Sequence, residues 1–178
     1  MFDAESIEGK NEIETDDEKM RVLIVSDTHG RNHNLSLALD KAGQIDMLIH
    51  LGDVEHGEDF VRASVDCPVH MVAGNNDFFS ELPLEEEFMI GDLKVLITHG
   101  HNYYVSLGPE HLKEEAKERG VDIVMFGHTH KPYIEVDWDI TVANPGSLSY
   151  PRQQGRKPSY MLMDLDEKGK PRFEILYL

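Results

Sequence analysis

Seven side chains of metal-ligand type fall in five short stretches of this sequence. Asp27 and His29 lie in Ser26-Asp27-Thr28-His29-Gly30, Asp53 follows Gly52, and Asn75 follows Gly74. His99 lies in Thr98-His99-Gly100-His101, and His128 and His130 lie in Gly127-His128-Thr129-His130. Imidazole, carboxylate and amide without thiolate suit borderline or hard divalent ions such as Mn, Ni, Fe, Co or Zn, not a structural zinc–cysteine site. Singly, each stretch is weak, because His-x-His occurs on surfaces by accident and Gly-Asp and Gly-Asn are common turns. Jointly they are not, because each follows an apolar run. Seven ligands are too many for one tetrahedral ion. If one carboxylate bridges, they form two sets of four, as in a two-metal hydrolytic site.

The elements that must position these residues alternate along the chain. The run Val22-Leu23-Ile24-Val25 reads as a buried strand, 22–26, ahead of Asp27. A helix is expected at 32–41, capped by Asn32 or Asn34, then a strand at 47–50, a short helix at 58–63 and a strand at 69–72. That βαβαβ order signals a layered α/β fold with parallel strands. The rhythm then changes. A hairpin is expected from 88–90 and 93–98 around Gly91-Asp92, a charged helix at 109–119, and a buried strand at 123–126. Residues 133–136, 140–143, 159–164 and 172–178 read as consecutive antiparallel strands, with a turn at 166–169. Two packed sheets with helices outside fit both halves. No internal repeat is evident.

Composition narrows the function classes. A chain of 178 residues, 40% hydrophobic and 29% charged, suits one soluble domain. Its formal net charge of −17 should repel long nucleic acids and anionic membranes from most of the surface. Residues 1–19 carry eight acidic side chains against Lys10 and Lys19, a local charge of −6, and read as a mobile tail before a folded domain at 20–178. The single cysteine, Cys67, forms no internal disulfide and has no nucleophile motif around it. No apolar run approaches the roughly 18 residues of a membrane span. The first residues are acidic, unlike a signal peptide, so a cytoplasmic protein is expected.

The ordered set Asp27-x-His29, Gly52-Asp53, Gly74-Asn75, His99 and Gly127-His128-x-His130 resembles the motifs of calcineurin-like metallophosphoesterases. In order, spacing and size it is most similar to the YfcE-like phosphodiesterases. The resemblance runs from about residue 20 to the C-terminus. It implies a four-layer αββα sandwich, two mixed β-sheets flanked by helices, with a dinuclear site at the sheet edges. It further implies that Asp27, His29, Asp53 and His130 hold one ion, and that Asp53, Asn75, His99 and His128 hold the other, with Asp53 bridging. The implied activity is hydrolysis of a small phosphoester, a diester before a monoester, by attack of metal-activated water. The runner-up is a non-catalytic protein-binding scaffold, since a retromer coat subunit has this fold. A homo-oligomer is left open.

One departure from the family pattern bears on catalysis. Many members of the superfamily have His after the Gly-Asn pair, where it binds phosphate or protonates the leaving group; here the residue is Asn76. Asn cannot transfer a proton at neutral pH. Asp77, which in the family orients that His, is then expected to lack its partner. His101 is the nearest substitute by sequence and His56 another, so Asp53, Asn76 and His101 are the candidate catalytic residues. His33, His50, His70 and His111 read as structural or surface residues. Asn144-Pro145-Gly146-Ser147 resembles a late loop of the family near the site, with modest functional weight beyond being a turn.

Overall fold

A computed structural model describes residues 20–178. The acidic tail expected at 1–19 lies outside the described residues. The first five elements are β1 (Arg21–Val25), α1 (His33–Ala42), β2 (Met47–His50), α2 (Glu58–Ala63) and β3 (Val69–Met71). They are followed by β4 (Glu85–Ile90), β5 (Leu93–Thr98), a 3-10 turn (His101–Tyr103), α3 (Glu110–Glu118) and β6 (Ile123–Met125). The chain ends with β7 (Pro132–Val136), β8 (Thr141–Pro145), β9 (Ser159–Leu165) and β10 (Pro171–Tyr177). They form two five-stranded mixed sheets, ordered β10-β9-β1-β2-β3 and β4-β5-β6-β8-β7.

Side-chain alternation along the strands explains the layers. In β1, Val22 and Ile24 point between the sheets, with Met47 and Ile49 of β2 and with Val95, Ile97 and Met125 of the other sheet. The intervening Leu23 and Val25 face the opposite way and pack with Leu35 and Ala38 of α1 and Val61 of α2. The second sheet repeats the device, with Leu96 and Val124 turned outward onto Leu112 and Ala116 of α3. A strand buried on both faces must be apolar at every position, which is why these runs are continuous rather than alternating. The result is an αββα sandwich, as the motif set implies.

Three local expectations need correction. Asn32 occupies the N-cap position of α1 but makes no capping hydrogen bond, and the Asn34 amide instead donates to the Leu148 carbonyl (2.6 Å). The four last strands are not one antiparallel series. They make two hairpins in different sheets, with β8 parallel to β6 and β9 antiparallel to β1. Their partners are distant in sequence, so local pattern could not assign them. The hairpin strand β4 begins at Glu85, three residues before the apolar Phe88–Ile90 segment, because its edge position tolerates three glutamates.

The carboxyl ends of β1, β2, β3, β5 and β6 carry the ligand loops, the usual position for a site in an open α/β sheet. His50, the last residue of β2, lies fully buried behind two of those loops. Its Nδ1 accepts from the Gly52 amide (3.2 Å), so its Nε2–H donates to the Thr28 hydroxyl (3.0 Å). It is thus structural, as expected, but it also braces both loops. Burial pushes its pKa down from 6.5 to about 4. The unfolded chain therefore takes up this proton more readily than the folded one. The contribution of the neutral ring is complete above pH 6.5 and is lost as pH falls toward 4, roughly 3 kcal/mol at 1.36 kcal/mol per unit. Denaturant titrations across pH 4–7 should show His50→Gln with a shallower loss of stability than the parent; parallel curves would refute this role.

Candidate metal centre

The backbone delivers the ligands in unusual conformations. Beyond the strand ends the loops stay hydrogen-bonded, Asp27 N–H to the Gly52 carbonyl (3.0 Å), His29 N–H to Asp53 (2.9 Å) and Gly127 N–H to His99 (3.1 Å). Asp27, His29, Asp53, His128 and His130 all have positive φ, between 47° and 66°. Such residues are uncommon outside glycine, cost of order 1–3 kcal/mol each, and cluster at functional sites. Such kinks let the side chains of Asp27, His29, Asp53 and His130 leave their strand lines and gather at the sheet edges.

Two glycines allow the loops to close. A Cβ on Gly74 would stand 2.1 Å from Asp53 Oδ1, and one on Gly127 would stand 2.1 Å from the Ser26 hydroxyl and 3.0 Å from Asp27 Oδ2. Any larger residue would push these loops off the two carboxylates.

At the centre, ligand atoms of Asp27, His29, Asp53 and His130 lie within 4.8 Å of one another. Asp27 Oδ2 is satisfied by the Ser26 hydroxyl (2.6 Å) and the His128 amide (3.2 Å). Asp27 Oδ1 is buried without a hydrogen-bond partner. It nevertheless lies 3.8 Å from His29 Nε2, 3.9 Å from His99 Nε2 and 3.0 Å from His130 Nε2.

The far nitrogen of each ring explains this. His29 Nδ1 contacts Glu55 Oε1 (2.6 Å), His99 Nδ1 the Leu51 carbonyl (2.7 Å) and His130 Nδ1 the Tyr150 carbonyl (2.7 Å). Carboxylates and carbonyls only accept, so each Nδ1 carries a proton and each ring turns its Nε2 inward, as a lone pair wherever that nitrogen is unprotonated. Beside this group, Asp53 Oδ2 lies 3.7 Å from His29 Nε2 and 3.5 Å from His99 Nε2. Asn75 Oδ1 lies 3.1 Å from His99 Nε2 and 2.9 Å from His128 Nδ1. Lone pairs converging on buried carboxylate oxygens repel one another unless a cation or a proton sits among them. The donor set therefore fits divalent metal.

Charge shifts follow the same geometry. Burial alone would raise the pKa of Asp27, but His130, His99 and the Ser26 hydroxyl outweigh it and hold the carboxylate below its ordinary value. Burial likewise opposes ionisation of Asp53, and His99 and the two Asn76 donors reverse the balance.

The remaining candidates take distinct places. Asn76 donates its backbone amide (2.8 Å) and its side-chain amide (2.7 Å) to the two oxygens of Asp53, clamping that carboxylate. Asp77 is not partnerless: it accepts from the Glu55 and Gly74 amides (2.7 Å each) and ties the two loops together. His101 is half-buried, with ring centroids 5.5 Å from His99 and 6.2 Å from His128, and its buried Nδ1 has no partner. Burial, then the neighbouring His99, lowers its pKa. His56 is exposed on the rim, beside Asn76.

The Asn144–Ser147 loop carries more than modest weight. Asn144 is fully buried and donates to the Gly127 carbonyl (2.8 Å) and the Thr129 hydroxyl (3.1 Å), while the Ser147 hydroxyl donates to the Asp27 carbonyl (2.9 Å). Glu55 escaped the sequence pattern, as did the Leu51 and Tyr150 carbonyls. A carbonyl leaves no mark in residue type, and Glu55 resembles any other loop acid.

Comparison with known proteins agrees with this architecture. The calcineurin-like phosphoesterase superfamily domain matches residues 20–168. Probable metallophosphoesterase YsnB of Bacillus subtilis is 34% identical, covering 83% of this chain and 85% of its own. Phosphodiesterase YfcE of Escherichia coli is 29% identical over 83% and 89%. Vacuolar protein sorting-associated protein 29 of Schizosaccharomyces pombe is 30% identical over 88% and 84%. The crystal structure of a predicted phosphoesterase of Streptococcus pneumoniae superposes with a TM-score of 0.77 at 27% identity, covering 90% of each chain. With these strand-end ligands and this sandwich, the chain belongs to the calcineurin-like phosphoesterase superfamily.

Proposed function

We propose that this protein hydrolyses small phosphoesters, diesters in preference to monoesters, with two divalent ions held by the seven loop residues. Asp27, His29, Asp53 and His130 would hold one ion, and Asp53, Asn75, His99 and His128 the other. The observation that carries this reading is the inward convergence of three imidazole lone pairs on the buried, unpartnered Asp27 Oδ1. When bound, such ions neutralise phosphate oxygens and make water acid enough to ionise near neutral pH.

The chain's own groups do the rest. Ser26 and the His128 amide fix one oxygen of Asp27, leaving the other for a ligand role. Asn76 fixes Asp53 from both sides and so sets the spacing of the two ligand sets. Glu55 and the Leu51 and Tyr150 carbonyls fix the imidazole tautomers. The rigid donor set would fix where the ions neutralise the phosphate, so that positioning with charge stabilisation would supply most of the rate. His101, beside His99 and His128, would give a proton to the leaving oxygen. Preference for diesters is supported by two phosphodiesterases among the relatives.

A protein-binding scaffold of the same fold is the competing reading, favoured by the vacuolar sorting relative. The full set of seven ligand-type side chains supports the enzyme. Turnover of an aryl phosphodiester with Mn or Ni separates the two: hydrolysis is expected, and none with either ion would favour the scaffold.

Three further outcomes follow. The ligands come from loops between residues 27 and 130, so binding needs the assembled fold. Ligand at one hundred times Kd stabilises by about 2.7 kcal/mol. At 2–4 °C per kcal/mol, chelation should lower Tm by roughly 5–10 °C, and added Mn or Ni should restore it; an unchanged melt would contradict the site. Elemental analysis should find Asp53→Ala with less bound metal and lower turnover than His130→Ala, because a bridging carboxylate serves both ions. Equal metal in Asp53→Ala and the parent would exclude the bridge.

The third outcome concerns the proton donor. General acids contribute typically about 10²–10⁴ in rate, most for poor alkoxide leaving groups. If His101 is the donor, His101→Ala should slow alkyl esters far more than activated aryl esters. Its lowered pKa also makes the protonated form scarcer as pH rises, so alkyl turnover should fall first. Equal losses on both substrates would assign His101 to binding or structure.

A further inference from the structure

Two hollows border the metal centre, and their charge differs. The one on the Asn76 side, about 520 Å³, is lined by the acids Glu55, Glu58, Asp59, Asp77 and Glu81, with one cation, Arg62. The one on the His29–His130 side, about 570 Å³, is lined by Tyr150, Pro151, Arg152 and Arg156 and by no carboxylate. A third guanidinium, Arg31, stacks on the Tyr150 ring at 4.5 Å. Among the described residues, none of Arg31, Arg152 and Arg156 has a carboxylate within 4.0 Å. In a chain with 34 acids and 17 bases, three unpaired arginines on one rim are unexpected for a solvated surface.

These arginines are also tied to the metal ligands. Tyr150 accepts from His130 Nδ1–H through its carbonyl and stands its ring edge-on to His29, with centroids 5.0 Å apart, while carrying Arg31 on that ring. The Arg152 amide donates to the His130 carbonyl (2.9 Å). Arg156 sits at φ 44° in a turn closed by its own amide to Gln153 (3.0 Å). A substrate phosphate at the centre would thus meet guanidinium groups on one side and carboxylates on the other. Guanidinium forks bind planar or tetrahedral oxyanions through paired N–H bonds.

Building on the phosphoesterase reading, we propose that the Arg31–Arg152–Arg156 recess is a specificity subsite for a second anionic group of the substrate, a phosphoryl or a carboxylate. The preferred substrate is then a phosphoester with a second negative group on its organic part. The recess also offsets, locally, the repulsion that a −17 protein exerts on such a molecule.

The test uses p-nitrophenyl phosphodiesters with alkyl arms of one length ending in phosphonate, carboxylate or hydroxyl. The Mn-loaded parent should show at least about a tenfold higher kcat/KM for a charged arm than for the hydroxyl arm, and half-molar salt should abolish much of it because these arginines are exposed. Arg152→Gln and Arg156→Gln should lose at least about fivefold more on the charged arm than on the hydroxyl arm, through KM. Lys168→Gln, in the β9–β10 turn, should change neither. Preference on either charged arm supports the subsite and identifies its anion. Hydrolysis of all arms at equal rates, or equal losses in the variants, overturns the subsite and leaves the phosphoesterase standing. If no arm is hydrolysed the phosphoesterase reading falls, and calorimetry decides the subsite: pyrophosphate must bind tighter than phosphate, with that excess lost in Arg152→Gln. Equal binding overturns it.

Discussion

Everything in this structure turns on a crowd of electron pairs that should not tolerate one another. Two buried carboxylates and three imidazoles meet at the sheet edges, and each imidazole has its Nδ1 proton tied to an acceptor on the far side. Carboxylate next to lone pair is repulsive in a low-dielectric interior unless positive charge lies between them. The charge can be metal or proton, and Asp53 with Asp27 raises the pKa of His99 against its burial. Proton and metal would compete for the same Nε2, so a metal held there near neutral pH would be lost as pH falls.

Holding that arrangement costs backbone strain, and the sandwich absorbs it. Five ligands sit at positive φ, each at order 1–3 kcal/mol. Against this stand an apolar layer between the sheets and two outer layers under the helices. The buried hydrogen bonds of His50, Asn144 and Ser147 pin the loops from behind, so the strain cannot relax by moving them. Rigid strands and strained loops are thus one device, which presents the candidate ligand atoms at fixed spacing.

Much of this was legible in residue order. Apolar runs such as Val22–Val25 marked the strands, and a ligand type after each run marked the loops. The sheet partners of β8 and β9 were not legible, because β6 and β1 lie far off in sequence and pairing leaves no local mark. The left-handed conformation of the candidate ligands was not legible either, since Asp and His are enriched at positive φ but adopt it in few of their occurrences. Asn76 shows the limit most plainly. Its type excludes a proton donor, but only the structure shows it clamping Asp53. Asp77 likewise looks orphaned beside Asn76, yet it joins two loops through backbone amides that no sequence displays.

If seven loop residues hold two ions, with Asp53 between them, crystals grown with Mn must show both by anomalous diffraction. Two peaks are expected, one among Asp27, His29 and His130 and one among Asn75, His99 and His128, both within coordinating distance of Asp53. A single peak, or peaks that do not share Asp53, would contradict that arrangement.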